Sequence, residues 1–163
     1  MGRFRDALAI QGLAAIAEVK RRSPSAGDLR PDADPARLAA QFEQAGAAAV
    51  SSLVNERFGG SLDDLRAARA ATTAPLLAKG FFTEELDLLK LKIAGADAVL
   101  ILLRDLDDQR TAALMAYAHE LGIEANSIRK WTNRKSRRWS LRVLGPHLLQ
   151  RLFCDRTRAE KAE

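Results

Sequence analysis

The chain has 163 residues, is 47% hydrophobic and holds one cysteine. That suits one globular domain with a real core, excludes an internal disulfide framework and fits a reducing, cytoplasmic setting. The net charge of +5 is unevenly spread: residues 126–163 hold 11 Lys and Arg against 3 Asp and Glu, residues 1–125 hold 15 against 18, so the whole-chain charge is no argument for a nucleic-acid partner.

The first residues, Arg3 and Arg5 followed by ALAIQGLAAIA, have the outline of a secretory signal. Asp6 and Gln11 interrupt it and it runs straight into Glu18 and Lys20, which argues against that reading. No apolar run approaches the roughly 20 residues of a membrane span. From residue 13 onward short apolar runs alternate with amphipathic stretches. LAAIAEVK (13–20) reads as the first strand, and a loop of about a dozen residues, RRSPSAGDLRPDA, follows. Asp34-Pro35 opens a helix, because Asp accepts from orphan N–H groups and Pro suits the first helical position; Leu38, Phe42 and Ala45 mark its inner face and Gly46 its end. AAAVSSLV (47–54) is the second strand. Ser61, with Asp64 three residues on, caps a helix whose inner face is Leu62, Leu65 and Ala68.

PLLAKGFF (75–82) is the third strand. Thr83 is expected to cap the third helix, with Leu86, Leu89 and Ile93 on one face and Gly95 at its end. ADAVLILL (96–103) is the fourth strand, and a fourth helix starts near Asp107, is lined by Leu114, Ala118 and Leu121, and stops at Gly122. Continuous apolar strands alternating with amphipathic helices mean a parallel sheet covered by helices. An open doubly wound sheet and a (β/α)8 barrel both satisfy that pattern; the absence of G-x-G-x-x-G after the first strand weakens a dinucleotide-binding version of the former. Ile123-Glu124-Ala125 looks like the opening of a fifth strand that the sequence does not continue. After Ala125 the chain is Arg-rich and aperiodic, and Trp131, Trp139, His147 and Cys154 all lie there. The domain division read from composition is therefore 1–125, four βα units, and 126–163, an irregular basic tail.

In a parallel barrel the reactive groups sit at the C-terminal ends of the strands. Glu18 and Lys20, two residues apart, point to one side at the end of the first strand, and Lys79 has the same place on the third. Asn55 and Glu56 end the second strand, Arg104 and Asp105 the fourth. Glu18, Lys20 and Lys79 facing a barrel mouth would make a charged pocket for an anionic substrate, and a partly desolvated lysine beside other cations can act as a general acid. Charges at strand ends are more often simply solvated, so pattern alone stops at a phosphate- or carboxylate-handling barrel. The loop 21–33 reads equally well as a linker or as a binding loop. FGGSLDDL (58–65) could turn a helix N-terminus toward an anion, although a capped structural helix is the plainer reading. His119 and His147 lack metal-ligand spacing, so no metal site is expected.

IAEVKRRSPSAGDL resembles the first-strand signature of indole-3-glycerol phosphate synthases, and AAAVSSLVNERFGGSLDDL, PLLAKGFF, AGADAVLILL and AHELGIEA continue that pattern in order over about residues 4–125. The resemblance implies a partial (β/α)8 TIM barrel, a lyase of tryptophan biosynthesis that closes a ring, releases CO2 and loses water, and no metal or organic cofactor. It implies a small phosphorylated substrate, 1-(2-carboxyphenylamino)-1-deoxyribulose 5-phosphate, and no membrane partner. By motif position Lys79 is the lysine that protonates the substrate carbonyl oxygen. Lys20 anchors an anionic group and assists acid catalysis, Glu18 orients the lysines, Ser23 is the serine of the mobile first loop, and Phe58 lines the aryl pocket.

The chain departs from the family pattern in two places. Gly80 stands where the family usually has Asp after this lysine, and the loop before Phe58 is one residue short. The larger departure follows Ala125, where the family continues with a catalytic glutamate, an asparagine strand and phosphate-binding loops. The expectation is a chain truncated or frameshifted near residue 125, with little or no synthase activity and a tendency to self-associate through exposed sheet edges. The competing reading is a non-catalytic protein that binds single-stranded nucleic acid through RKWTNRKSRRW.

Overall fold

Side chains alternate between the two faces of a strand, so a sheet with apolar residues at every position must be covered on both. A computed structural model of the chain, which describes residues 2–23, 25–103 and 106–128, shows how both faces are covered. Five parallel strands, β1 (Ile16–Val19), β4 (Ala49–Leu53), β5 (Leu76–Lys79), β6 (Ala98–Leu102) and β7 (Glu124–Ile128), form a sheet in that order. Helices α2 (Pro35–Gln44), α3 (Leu62–Ala71), α4 (Glu85–Ile93) and α5 (Asp108–Glu120) link successive strands. Val19, Val50, Leu76, Ala78, Val99 and Ile101 meet Ala39, Leu65, Ala68, Leu88, Leu91, Leu114 and Ala118 in the core on the helical side. This is four βα units of a (β/α)8 barrel followed by a fifth strand.

The helix signals hold where a cap and an apolar stripe agree. Asp34 accepts from the N–H groups of Ala36 and Arg37 at 3.0 and 3.4 Å, with Pro35 at the first helical position. Ser61 and Asp64 make the reciprocal capping box of α3, and Asp107 accepts from Arg110 N. Four expectations are corrected. Leu13 is 95% exposed and the first strand begins only at Ile16. The face of α2 includes fully buried Ala39, while Ala45 is exposed at the C-cap. Glu84, not Thr83, is the N-cap of α4, because Asp87 accepts from both Thr83 N and Glu84 N. The buried stripe of α4 is Leu88 and Leu91; Leu86 and Ile93 are 57% and 71% exposed. That helix has apolar residues on two faces, and only packing chooses between them.

Two elements carry no strong sequence signal. The loop after β1 folds into a small antiparallel hairpin, β2 (Arg22–Ser23) with β3 (Gly27–Asp28). Near the N-terminus, α1 (Arg3–Leu8) buries Phe4 and Leu8 against Ala49, Leu77, Ala98 and Leu100, on the sheet face opposite α2–α5. The stretch with the outline of a signal segment is thus a plug. It is pinned at the N-terminal ends of the strands: Glu124 accepts from Phe4 N and Arg5 N at 2.7 and 3.0 Å, and Arg3 reaches Asp97 at 2.8 Å and Thr73 O at 2.6 Å. Asp97 also accepts from Arg69 and from Leu76 N.

The fifth strand continues past Ala125: Leu100 pairs with Asn126 and Leu102 with Ile128 in parallel register. The basic tail from residue 129, with both tryptophans, the cysteine and His147, lies outside the described residues, as do Pro24, Arg104 and Asp105. Among the described residues no helix is long and apolar enough to cross a membrane.

Two predictions follow from this packing. Phe4→Ala removes a fully buried ring from the plug and is expected to cost about 3–5 kcal/mol, read as a lowered denaturant midpoint. Glu43 on α2 accepts from Thr72 Oγ1 at 2.6 Å and from the N–H and hydroxyl of Thr73, and these bonds hold its carboxyl below the ordinary carboxylate value. A depressed folded pKa stabilises above the unfolded value and loses that contribution as pH falls through the folded one. The Tm advantage of wild type over Glu43→Gln should therefore be complete at about pH 6 and shrink steadily below about pH 4. An advantage that grows with acid would contradict this.

Candidate active site

The C-terminal ends of β1, β4 and β5 place the predicted charges together. Glu18 lies within β1, Lys20 one residue past its end, and Lys79 is the last residue of β5. In the parallel register Glu18 faces Ser51, Ser51 faces Leu77, and Leu53 faces Lys79, so all of these share the face opposite α2–α5. The Lys79 ammonium donates to Glu18 Oε2 across β4, while Lys20 Nζ stands 3.8 Å from Glu18 Oε1. Glu18 therefore serves two ammonium groups at once. All three side chains are 30% exposed, so water reaches the mouth and each ion pair is partly screened.

An aromatic wall stands beside these charges. Asn55 accepts from Arg57 N through its side chain and from Phe58 N and Gly60 N through its carbonyl, winding residues Glu56–Phe58 into a 3-10 turn. A Cβ on Gly60 would lie 1.8 Å from Leu53 O, so only glycine lets this turn close against the strand end. The turn brings Phe58 within 6.2 Å of Phe81, ring centroid to centroid and 21° from coplanar. Lys20 Nζ is 5.7 Å from the Phe58 ring and the Arg57 guanidinium 5.9 Å from the Phe81 ring.

Of the five residues singled out from sequence, the structure brings together Glu18, Lys20, Lys79 and Phe58. Ser23 is buried in β2, and its hydroxyl is 3.2 Å from that of Ser25. Sequence reasoning missed Arg57 and Phe81, although Phe81 lies two residues past Lys79, and missed the role of Arg21. The Arg21 guanidinium makes a bidentate pair with Asp64 at 2.7 and 3.0 Å and donates to Gly59 O and Ala33 O. Its backbone carbonyl accepts from Leu29 N and Arg30 N. Arg21 thus ties the β1 loop to the turn that carries Phe58, and the Asp64 hydrogen bonds raise its already high pKa. The helix N-terminus at Ser61 is filled by its own capping box and by Arg21, which is the structural reading of FGGSLDDL. An open cleft of about 460 Å³ borders Arg21, Arg22, Asp32 and Gly59; Lys79 is not on its wall.

Gly80 is closely packed. A Cβ there would lie 2.8 Å from Val54 O and 2.6 Å from the Phe82 ring, so this backbone has no space for the aspartate the family pattern carries. Among the described residues no group of three or more His, Cys, Asp or Glu side chains could hold a metal ion. The site thus consists of ammonium groups held by a carboxylate beside aromatic rings, an arrangement that can bind an anion and deliver a proton.

Comparison with known proteins identifies the family. The family model described as indole-3-glycerol phosphate synthase matches residues 2–126. An indole-3-glycerol phosphate synthase of a Nocardioides species is 48% identical over 126 residues, which is 77% of this chain and 47% of that protein. Indole-3-glycerol phosphate synthase 2 of Streptomyces coelicolor is 47% identical over 123 residues, covering 75% of this chain and 48% of the relative. The chain spans about half the length of the curated relatives it matches. Among solved structures, the tryptophan synthase alpha subunit of Legionella pneumophila superposes with a TM-score of 0.57 at 16% identity, over 77% of this chain and 57% of that one, a likeness of fold alone. With a family model over residues 2–126 and relatives near half identical over about three quarters of its length, the chain belongs to the indole-3-glycerol phosphate synthase family.

Proposed function

We propose that this chain is built for the synthase reaction itself: closure of the pyrrole ring of 1-(2-carboxyphenylamino)-1-deoxyribulose 5-phosphate, followed by loss of CO2 and of water. The observation that carries this reading is the Lys79 ammonium, held at the strand ends by Glu18 and open to the mouth. A ketone becomes electrophilic when its oxygen is protonated, and an ammonium beside the carbonyl supplies that proton. Lys79 is the donor. As the carboxyl-bearing aryl carbon attacks the carbonyl carbon, the oxygen takes the Lys79 proton and becomes a hydroxyl; CO2 then leaves the attacking ring carbon and its bonding electrons restore the aromatic ring, and the hydroxyl departs as water when it takes a second proton and the neighbouring carbon of the new ring loses one.

Lys20 anchors an anionic group of the substrate, its ammonium lying beside the Phe58 ring. Glu18 orients both lysines and receives the charge of whichever ammonium the substrate does not engage. Phe58 packs against the aryl ring, and Ser23, on the hairpin beyond β1, belongs to the loop that covers the substrate. The mouth is open to water at all three charged groups, and a proton delivered in water is worth less than one delivered in a closed site.

The expected turnover is accordingly far below an ordinary enzyme rate of about 10 per second. Formation of indole-3-glycerol phosphate, followed with enzyme in excess over substrate, checks this. Lys79→Ala should reduce the rate constant by roughly 10²- to 10⁴-fold, to background. Lys79→Arg keeps the charge but holds its proton too tightly to donate, so it should lose rate while binding substrate nearly as well as wild type. A Lys79→Ala variant that turned over at the wild-type rate would remove the basis of the assignment.

A further inference from the structure

Among the described residues, four cations near the mouth are each answered by a carboxylate, and Arg57 is not. Lys79 and Lys20 share Glu18, Arg21 is paired with Asp64, and Arg22 with Asp28. Arg57 is exposed at the same mouth, and among the described residues its guanidinium has an aromatic ring beside it, that of Phe81, and no carboxylate. The backbone of Arg57 is held by Asn55 in the 3-10 turn, so the base of the side chain is fixed. Contact with a ring orients a guanidinium and leaves its N–H edge to act as a planar fork, the geometry that matches a carboxylate.

Phe81 is itself stacked with Phe58, so the guanidinium borders an aromatic surface made of two rings. A flat aryl group laid against that surface, bearing a carboxylate on the neighbouring ring carbon, presents the carboxylate to Arg57. A guanidinium also suits a phosphate, but the phosphate end of the same substrate carries no ring to lie against this aromatic surface.

The geometry points to Arg57 as a specificity-determining residue that recognises the carboxylate on the aromatic ring of the substrate. This rests on the synthase reading above and adds to it a residue to which the resemblance gave no role. Arg57 selects for the 2-carboxyphenyl group; Lys20 remains available for the other anionic end. The residue moves no proton and is needed for selection rather than for ring closure.

The test pairs a residue change with a ligand change. The first probe is the substrate with its ketone reduced to an alcohol, which cannot close the ring; the second is the same molecule without the ring carboxylate. Binding of each to the full chain and to Arg57→Ala and Arg57→Lys is measured by calorimetry. Arg57→Ala should weaken the carboxylated probe by roughly 10- to 100-fold, the worth of a charged hydrogen-bonded pair, and change the other probe by less than about twofold. Arg57→Lys should recover part of the affinity for the carboxylated probe alone. Equal weakening of both probes overturns the inference, because Arg57 then acts only by holding Phe81; so does no weakening of either. A wild-type chain that bound neither probe would overturn the synthase reading and this inference together, whereas binding of both with no selective loss overturns this inference alone.

Discussion

The parallel register of five strands is the constraint from which the rest of the molecule follows. It sets two rows of side chains on the face away from α2–α5. The lower row is Glu18, Ser51, Leu77, Ala98 and Glu124; the upper is Leu53, Lys79, Leu100 and Asn126. Because side chains alternate with a period of two, a slip of one residue in any strand would turn Lys79 or Glu18 into the apolar layer under the helices. Such a slip would also expose Ala78 or Val19, so the hydrophobic packing that keeps the register is the same force that holds the charged pair together. The hydroxyl of Ser51 and the amide nitrogen of Asn126 are buried in these rows without a hydrogen-bond partner among the described residues, as is Ser52 on the opposite face.

The two ends of the sheet are used differently. At the N-terminal ends of the strands, polar groups are spent on structure: Glu124 holds the backbone of α1, and Asp97 gathers Arg3, Arg69 and Leu76 N. Phe4 and Leu8 then fill the space between the strands. At the C-terminal ends the ion pairs are looser and wetter, and cations stand beside aromatic rings. Division of a barrel into a stabilising end and a reactive end is the expected consequence of loops that vary over a fixed sheet. Arg21 links the loops at this end to one another, which lets Phe58 and the β1 hairpin be positioned as one unit.

Much of this was legible residue by residue. Asp34, Ser61 and Asp107 announce helix starts because each offers an oxygen to orphan N–H groups, and each does so in the structure. Glu18, Lys20 and Lys79 could be grouped from spacing because strand alternation and strand ends are local properties. The side of α4 could not be read, since Leu86, Leu88, Leu89, Leu91 and Ile93 give two apolar stripes of similar strength. Nor could the place of α1, whose six residues are too few for a periodic signal and whose anchor, Glu124, lies 120 positions away from Phe4. The pairing of Asn126 with Leu100 was hidden as well, because a polar residue inside a barrel breaks the apolar run that marks a strand.

By itself the sequence determined the class of fold, the order of its strands and helices and the family of the site, because these rest on local periodicity, capping chemistry and one dense motif, E-V-K-R-R-S-P-S. Tertiary structure alone decided that the two lysines meet different oxygens of Glu18, that the N-terminal segment plugs the sheet, and that Arg57 borders a pair of stacked rings. Those are contacts between residues far apart or turned by a single 3-10 loop, and their geometry depends on register, strand tilt and the space left by neighbours, none of which is encoded at any one position.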